Sequence, residues 1–328
     1  MFFSVIVTAF NSGTFLAPCL ESILRNPAGN YELIIVDDGS TDNTGKICDR
    51  YADQYGQVTC IHTRNQGVGN ARQVGLDMAS GAFVLFVDGD DVWDDSFCLQ
   101  SLEETIRKNN ADLYVLGFVQ RTIERENCCD LLFRVSATSF EDWRDNQDQF
   151  LSYFSNGLMF PCWNKIFRKQ CISENHIVFI QQQMEDFHFV LAYLNVTRSV
   201  VFLSEEPYIY FKRENRGLTS VAHHGMLEGY NSCHRLFLSL FDEKYTGQIH
   251  QIMAPQYIAT INKCMNNKAF SEPVLNSLRQ NLLAKNSLKS YSPVSISDTI
   301  TICLMRAGRY HLLKIYRKII SGIKRPKK

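Results

Sequence analysis

The chain has 328 residues, 45% hydrophobic and 21% charged, with 34 basic and 34 acidic side chains. The length suits one large α/β domain with an appendage, or two small domains, and the composition excludes a disordered chain. A net charge of zero excludes a general nucleic-acid binder, which would carry a basic surplus.

The first third alternates short apolar runs with amphipathic stretches. Strands are predicted over 3–7, 33–36, 58–62 and 82–87, with helices over 14–24, 44–54 and 70–79 between them. This rhythm of strand, helix and strand means βαβ crossovers and a mainly parallel sheet with helices on both faces. Each strand ends in a polar turn: Asn11-Ser12-Gly13, then Asp37-Asp38-Gly39-Ser40, then Arg64-Asn65-Gln66-Gly67, and Asp88-Gly89-Asp90-Asp91. Ligands of open α/β sheets bind beyond the carboxyl ends of the strands, so all four turns are expected on one edge.

Beyond residue 112 the pattern loosens. A strand is expected over 112–119, a polar hairpin through 121–134, a helix over 184–194 and strands over 200–203 and 208–212. After about residue 225 the chain reads as mostly helical. The 11 cysteines show neither the paired spacing of a disulfide framework nor that of a zinc site, so free thiols in a reducing cytosol are expected. The N-terminus lacks the basic region of a signal peptide, and no apolar run reaches the ~18 residues of a membrane span.

Three segments carry chemistry. In Phe86-Val87-Asp88-Gly89-Asp90-Asp91, three carboxylates leave one buried strand within four residues, and such crowding calls for a cation. Hard oxygen donors suit Mg²⁺ or Mn²⁺ bridging to a substrate phosphate, although an acidic turn capping a helix would share the pattern. Asp37 and Asp38, at the end of the second strand, can accept from a base N–H or a ribose hydroxyl, while Asp42 or Asn43 caps the next helix. Gly67 and Gly69 let backbone N–H groups approach a ligand at a helix N-terminus, and Arg72 adds a forked donor. The dinucleotide fingerprint is not met, because these glycines follow the third strand and a third glycine is absent.

Taken in order, these motifs resemble the family 2 glycosyltransferases, inverting enzymes with the GT-A fold. The likeness rests on Val5-Ile6-Val7-Thr8-Ala9-Phe10-Asn11, Ile35-Val36-Asp37-Asp38-Gly39-Ser40-Thr41-Asp42, Asn65-Gln66-Gly67 with Ala71-Arg72-Gln73-Val74-Gly75, and Phe86 to Asp91. It is strong over residues 1–95 and patchier to about 220. Ala9 departs from the proline of many members.

The resemblance implies an α/β GT-A fold with a helical C-terminal appendage. Residues 1–115 would form the nucleotide-sugar half, 116–225 the acceptor half and 226–328 the helical region. It implies that Asp37 or Asp38 reads a uracil base beside Thr8 and Ala9, with Gly67 and Arg72 near the nucleotide. Asp88 and Gly89 would meet the ribose, and Asp90 with Asp88 would hold Mn²⁺ or Mg²⁺ on the diphosphate. Trp163 and Lys165 match a segment near donor sugar and acceptor, and Arg213 and Arg216 a basic segment over the diphosphate. In the pair Glu185-Asp186, Asp186 matches the catalytic base and Glu185 takes a supporting role. The implied partners are a nucleotide diphosphate sugar, UDP-linked, and a glycan or lipid-linked glycan acceptor in bacterial cell-surface polysaccharide synthesis.

The last 30 residues, from Thr299, carry nine Lys and Arg and no acid, which leaves the rest of the chain at net −9. Leu312, Tyr316, Ile319 and Ile323 recur at helical spacing among the charges. Such a basic amphipathic helix either lies on an anionic membrane surface or docks on the main domain. Peripheral membrane association on the cytoplasmic face is the reading adopted. Two rival functions remain open at this level: a catalytically degenerate sugar-nucleotide-binding protein, and a nucleotidyltransferase. The latter is disfavoured because no basic residue follows the first strand.

Overall fold

The computed structural model describes residues 1–124, 127–182, 184–213 and 226–266, and the bounds below refer to these. Two compact units divide the chain: Met1–Gln181 with Glu185–Glu214, and Gln182–Met184 with Asn215–Lys328. The basic tail, Arg216 and the histidines at 223 and 224 lie outside the described residues.

The first unit opens as the apolar runs require. Strands β1 (Phe3–Ala9), β2 (Tyr31–Asp37), β3 (Val58–His62) and β4 (Phe83–Asp88) alternate with helices α1 (Leu16–Leu24), α2 (Thr44–Gln54) and α3 (Val68–Met78). All four strands pair in parallel in the order β3-β2-β1-β4. β1 is buried along its whole length because it has a neighbour on each side and helices above and below. The order reverses between β1 and β4, the place where an open α/β sheet leaves a crevice. There the register sets Thr8 beside Asp88 and Ala9 beside Asp37.

Past β4 the sheet becomes mixed. A two-residue β5 (Val92–Trp93) and helix α4 (Leu99–Asn109) lead into β6 (Leu113–Glu124), β7 (Asn127–Phe133) and β8 (Thr138–Phe140). After α5 (Gln147–Ser155) come β9 (Lys165–Arg168), α6 (Lys169–Glu174), α7 (Glu185–Val196) and β10 (Val200–Arg213). β9 runs antiparallel between β4 and β6, and β10 pairs in parallel with β6. The two strands expected over 200–203 and 208–212 are one strand, interrupted by a register shift between Leu203 and Tyr208. The expected hairpin is present as β6 and β7.

An aromatic cluster positions α7. Phe86 of β4 packs edge-on against Phe167 of β9 at 5.9 Å, Phe179 at 5.1 Å and Phe189 of α7 at 5.8 Å. Phe179 and Phe189 stack at 4.1 Å. Each such ring contributes about 2–3 kcal/mol through burial, and together they hold the start of α7 over the carboxyl end of β4.

The second unit contains α8 (Met226–Leu240) and α9 (Thr246–Asn266). A buried polar chain joins them: His250 Nδ1 lies 3.0 Å from His234 Nε2, His234 Nδ1 lies 3.1 Å from the Tyr257 hydroxyl, and that hydroxyl donates to Asn231 at 2.9 Å. Among the described residues no helix is long and apolar enough to cross a membrane.

One close backbone approach in the first unit is at Gly81, which precedes β4. A Cβ there would sit 2.6 Å from both Phe3 C and Ser4 N. Gly81→Ala is therefore expected to cost about 1–3 kcal/mol by overpacking against backbone. Gly56→Ala, where nothing lies within 4 Å, should stay within about 0.5 kcal/mol of the parent. Urea unfolding of the two variants checks this.

Candidate active site

The four strand-end turns meet on one edge and are stitched together. The Asn11 N–H donates to Ser40 Oγ, the Thr41 N–H to Asn11 Oδ1, and the Gly13 N–H to Asp42 Oδ2. Asp42 also accepts from the Thr44 N–H at 2.9 Å, so the acid, rather than Asn43, serves the start of α2. The Gly89 N–H donates to Thr8 O at 2.9 Å, and a Cβ on Gly89 would meet that same oxygen at 2.9 Å. Gly89 thus lets the acidic turn lie against β1.

Arg72 is the centre of the site. Its guanidinium donates through one terminal nitrogen to Asp88 Oδ1 and through the other to Glu185 Oε1, both at 2.8 Å. The Arg72 side chain is 4% exposed, against 26% for Asp88 and 16% for Glu185. One cation therefore ties the end of β4 to the start of α7. Gly69 makes room for it: a Cβ there would approach Ile180 O at 2.7 Å and Glu185 Cγ at 3.2 Å. The ring of Phe179 lies 5.9 Å below the guanidinium.

The three aspartates of the acidic turn part company. Asp88 belongs to Arg72. Asp90 pairs with Arg213 at 3.1 Å, while Arg213 also donates to the Asp90 carbonyl at 2.8 Å and covers the Phe15 ring at 4.0 Å. Asp91 turns into the fold, where it accepts from the Tyr208 hydroxyl and the Phe211 N–H, each at 2.8 Å. Burial, then the neighbouring Asp88 and Asp90, push its carboxyl well above the usual range. Tyr208 completes the link, because its oxygen accepts from the Asp88 N–H at 3.1 Å. Asp88 and Asp90, each paired with an arginine and each partly exposed, keep hard carboxylate oxygens at the edge, a donor set that fits Mg²⁺ or Mn²⁺.

The acid pair at the start of α7 also divides. Glu185 is held by Arg72. Asp186 is half-buried and accepts from the Phe187 N–H at 2.7 Å. Loss of solvation, then the adjacent Glu185, raise its pKa to about 7 against the opposing pull of Arg72.

Other expected site residues are placed differently. Asp38 is buried and accepts from the Gln66 N–H at 3.0 Å, the Gly67 N–H at 2.8 Å and the Thr63 hydroxyl at 3.2 Å. Asp37 accepts from the Ser40 N–H at 3.1 Å and faces His62 Nδ1 at 2.9 Å. Both carboxylates are thus engaged by the protein at the end of β2. Lys165 differs in position from that expected. It is 1% exposed, and its ammonium donates to Leu158 O, Pro161 O and Asn164 Oδ1. Burial lowers its pKa to about 7. It braces the loop before β9 instead of reaching a diphosphate. Trp163, half-buried, stacks on Tyr208 at 4.2 Å and on Tyr210 at 5.6 Å.

The sequence model described as Glycosyl transferase family 2 matches residues 4–174, more than half of the chain. The chain belongs to glycosyl transferase family 2. Its relatives include the glycosyltransferase GlyG of Streptococcus pneumoniae serotype 4, 26% identical over 64% of this chain and 70% of that protein. EpsJ of Bacillus subtilis, described as an uncharacterized glycosyltransferase, is 28% identical over 65% of this chain and 61% of its own length. The poly(ribitol-phosphate) beta-N-acetylglucosaminyltransferase TarS of Staphylococcus aureus is 30% identical over 67% of this chain and 37% of its length. A crystal structure of TarS 1–349 in complex with UDP-GlcNAc aligns with 100% of this chain and 93% of that one, at TM-score 0.63 and 21% identity, a likeness of fold. The chain is a glycosyltransferase of the bacterial polysaccharide type.

Within this family 2 member, sequence reasoning missed Tyr208 as a part of the site. The signal was present: Tyr208 and Tyr210 share one face of a strand two residues apart, next to the basic segment that contains Arg213.

Arg72 offers a direct test of the bridge. Arg72→Met removes the shared cation and leaves Asp88 and Glu185 facing each other. Because both acids keep some solvent contact, the loss is expected at the low end of the ~3–5 kcal/mol typical of a broken buried pair. Arg72→Lys should recover only part of it, since an ammonium lacks the fork that spans two acids. Denaturant midpoints of the three proteins measure the effect.

Proposed function

We propose that this glycosyltransferase moves a sugar from a UDP-sugar to a hydroxyl of a glycan or lipid-linked glycan, with inversion at the anomeric carbon. The observation that carries the reading is the Arg72 bridge. It gathers Asp88, Glu185 and, one residue on, the half-buried Asp186 at the sheet edge where an α/β fold takes its ligand. Support for the donor comes from the fold likeness to TarS structures in complex with UDP-GlcNAc and with UDP. A second neighbour, a Pyrobaculum calidifontis mannosyltransferase at TM-score 0.50 and 14% identity, was solved with GDP-Man and Mn²⁺.

Asp90 and Asp88 would hold Mg²⁺ or Mn²⁺, which when bound neutralises charge on the diphosphate. Arg213, already against Asp90, adds a fixed positive charge beside the leaving group. Asp186 takes the proton of the acceptor hydroxyl as that oxygen attacks the anomeric carbon. The bond from that carbon to the diphosphate breaks on the opposite face, and UDP departs with the bonding pair. Glu185 holds Arg72 and raises the basicity of Asp186 by its own charge. Trp163, stacked with Tyr208 and Tyr210, offers an aromatic wall for a sugar face. Cell-surface polysaccharide synthesis on the cytoplasmic side, with peripheral attachment through the basic tail, completes the reading.

A base with a pKa of about 7 must be ionised to act. Transfer is therefore expected to fall as the pH drops through about 7 and to level off above it. Asp186→Asn should keep UDP binding, seen as thermal stabilisation with Mn²⁺, and lose transfer by about 10²–10⁴-fold. Asp90→Ala should weaken both. Unimpaired transfer by Asp186→Asn would remove it as the base. No stabilisation of the parent by any UDP-, GDP- or dTDP-sugar with metal would favour a degenerate binding protein.

A further inference from the structure

A second cluster of ligating side chains lies away from the acidic turn, where α2 packs on β3. Asp49 stands on α2, and Cys60 and His62 stand two residues apart on β3, hence on one face of the strand. One ligand atom from each lies within 4.8 Å of the others. His62 Nε2 is 2.9 Å from Asp49 Oδ1 and 3.4 Å from Cys60 Sγ. The three donor atoms thus border one small space, and they come from two regular elements rather than from a loop.

The other ring nitrogen is held from within the fold. His62 Nδ1 faces Asp37 Oδ2 at 2.9 Å, and Asp37 is 4% exposed. The ring thus stands between two carboxylates, Asp37 on Nδ1 and Asp49 on Nε2, and donates to both; a metal ion would take the place of the Nε2 hydrogen while Asp37 keeps hold of the Nδ1–H, the usual outer support of a metal-bound imidazole. Gly45 keeps the pair undisturbed, since a Cβ there would sit 3.1 Å from Asp37 Oδ2 and 3.4 Å from His62 Cε1.

We propose that Asp49, Cys60 and His62 form a site for a divalent transition-metal ion of the zinc class, separate from the Asp88–Asp90 donor set. A thiolate, an imidazole and a carboxylate select a borderline ion such as Zn²⁺ over Mg²⁺, which prefers oxygen donors alone. Three protein donors leave one tetrahedral position for water or an exogenous ligand. The spacing in sequence, one residue between Cys60 and His62 with Asp49 eleven residues before Cys60, matches no zinc pattern, and only the packing of α2 on β3 brings the three together. Through His62 the ion would sit one hydrogen bond from Asp37, at the strand end that borders the sugar-nucleotide edge.

The test uses the full chain, stripped with a chelator and kept reduced with a phosphine. Titration with Co²⁺ should give one equivalent with the near-ultraviolet band of a thiolate–cobalt bond, and Zn²⁺ should displace it. The band should persist in Asp90→Ala, vanish in Cys60→Ser and require at least about tenfold more metal in Asp49→Asn. Should Cys60→Ser fail to fold, alkylation of the parent answers the same question: Zn²⁺ is expected to protect Cys60 from iodoacetamide, as mapped by peptide mass. Absence of the band in the parent, its survival in Cys60→Ser, or equal alkylation of Cys60 with and without Zn²⁺ would overturn the proposal.

Discussion

A buried guanidinium shared by two carboxylates organises this fold's working edge. Burial of Arg72 works against its charge, so the side chain is tolerable only where acids of both β4 and α7 reach it. Those acids are 97 positions apart in the chain, Asp88 and Glu185, and no local preference brings them together. The aromatic cluster around Phe86 sets the height of α7, and the missing side chain of Gly69 lets the helix start close in. Arg72 then fixes the position by two bonds of 2.8 Å. An ammonium in its place would offer a point charge without the planar fork that serves two partners at once.

The same constraint explains how one turn can carry three aspartates. Like charges this close raise one another's energy, and the fold answers each differently. Asp88 and Asp90 receive an arginine apiece, from α3 and from the end of β10. Asp91 is removed from water and held by Tyr208 and the Phe211 N–H. The arrangement leaves two carboxylates for the ligand edge and uses the third as an anchor between the turn and β10. The aromatic stack of Trp163, Tyr208 and Tyr210 is thereby fixed to the acidic turn.

Much of this was legible in the sequence, and the remainder was hidden for identifiable reasons. The strands β1 to β4 announce themselves because burial on both faces demands continuous apolar runs, and the turns after them are forced to one edge by parallel pairing. Helix α4 lies outside the elements expected in chain order, although Leu99, Leu102 and Ile106 hold helical spacing. β10 reads as two strands because Ser204, Glu205, Glu206 and Pro207 interrupt the apolar pattern, whereas pairing with β6 on both sides of the register shift carries it through. Lys165 reads as a free cation because its three acceptors, two of them carbonyls of a preceding loop, exist only after folding. The division of labour between Asp37 and Asp38 is likewise tertiary: one serves His62 of β3 and the other the backbone of residues 66 and 67.

The adjacent acids at the start of α7 show why charge pattern alone does not assign a base. In sequence Glu185 and Asp186 are near equivalents. Folding gives Glu185 a direct bond to the guanidinium at 2.8 Å and gives Asp186 the Phe187 N–H. Asp186 loses solvation and has a negative neighbour, both of which favour the proton. Arg72 pulls in the other direction from behind Glu185, and the balance leaves Asp186 near neutrality. A carboxylate poised there can both accept a proton and remain ionised often enough to act. The guanidinium that holds β4 to α7 therefore also pulls on the Asp186 carboxyl, so a change at Arg72 alters the geometry of the edge and the basicity of Asp186 together.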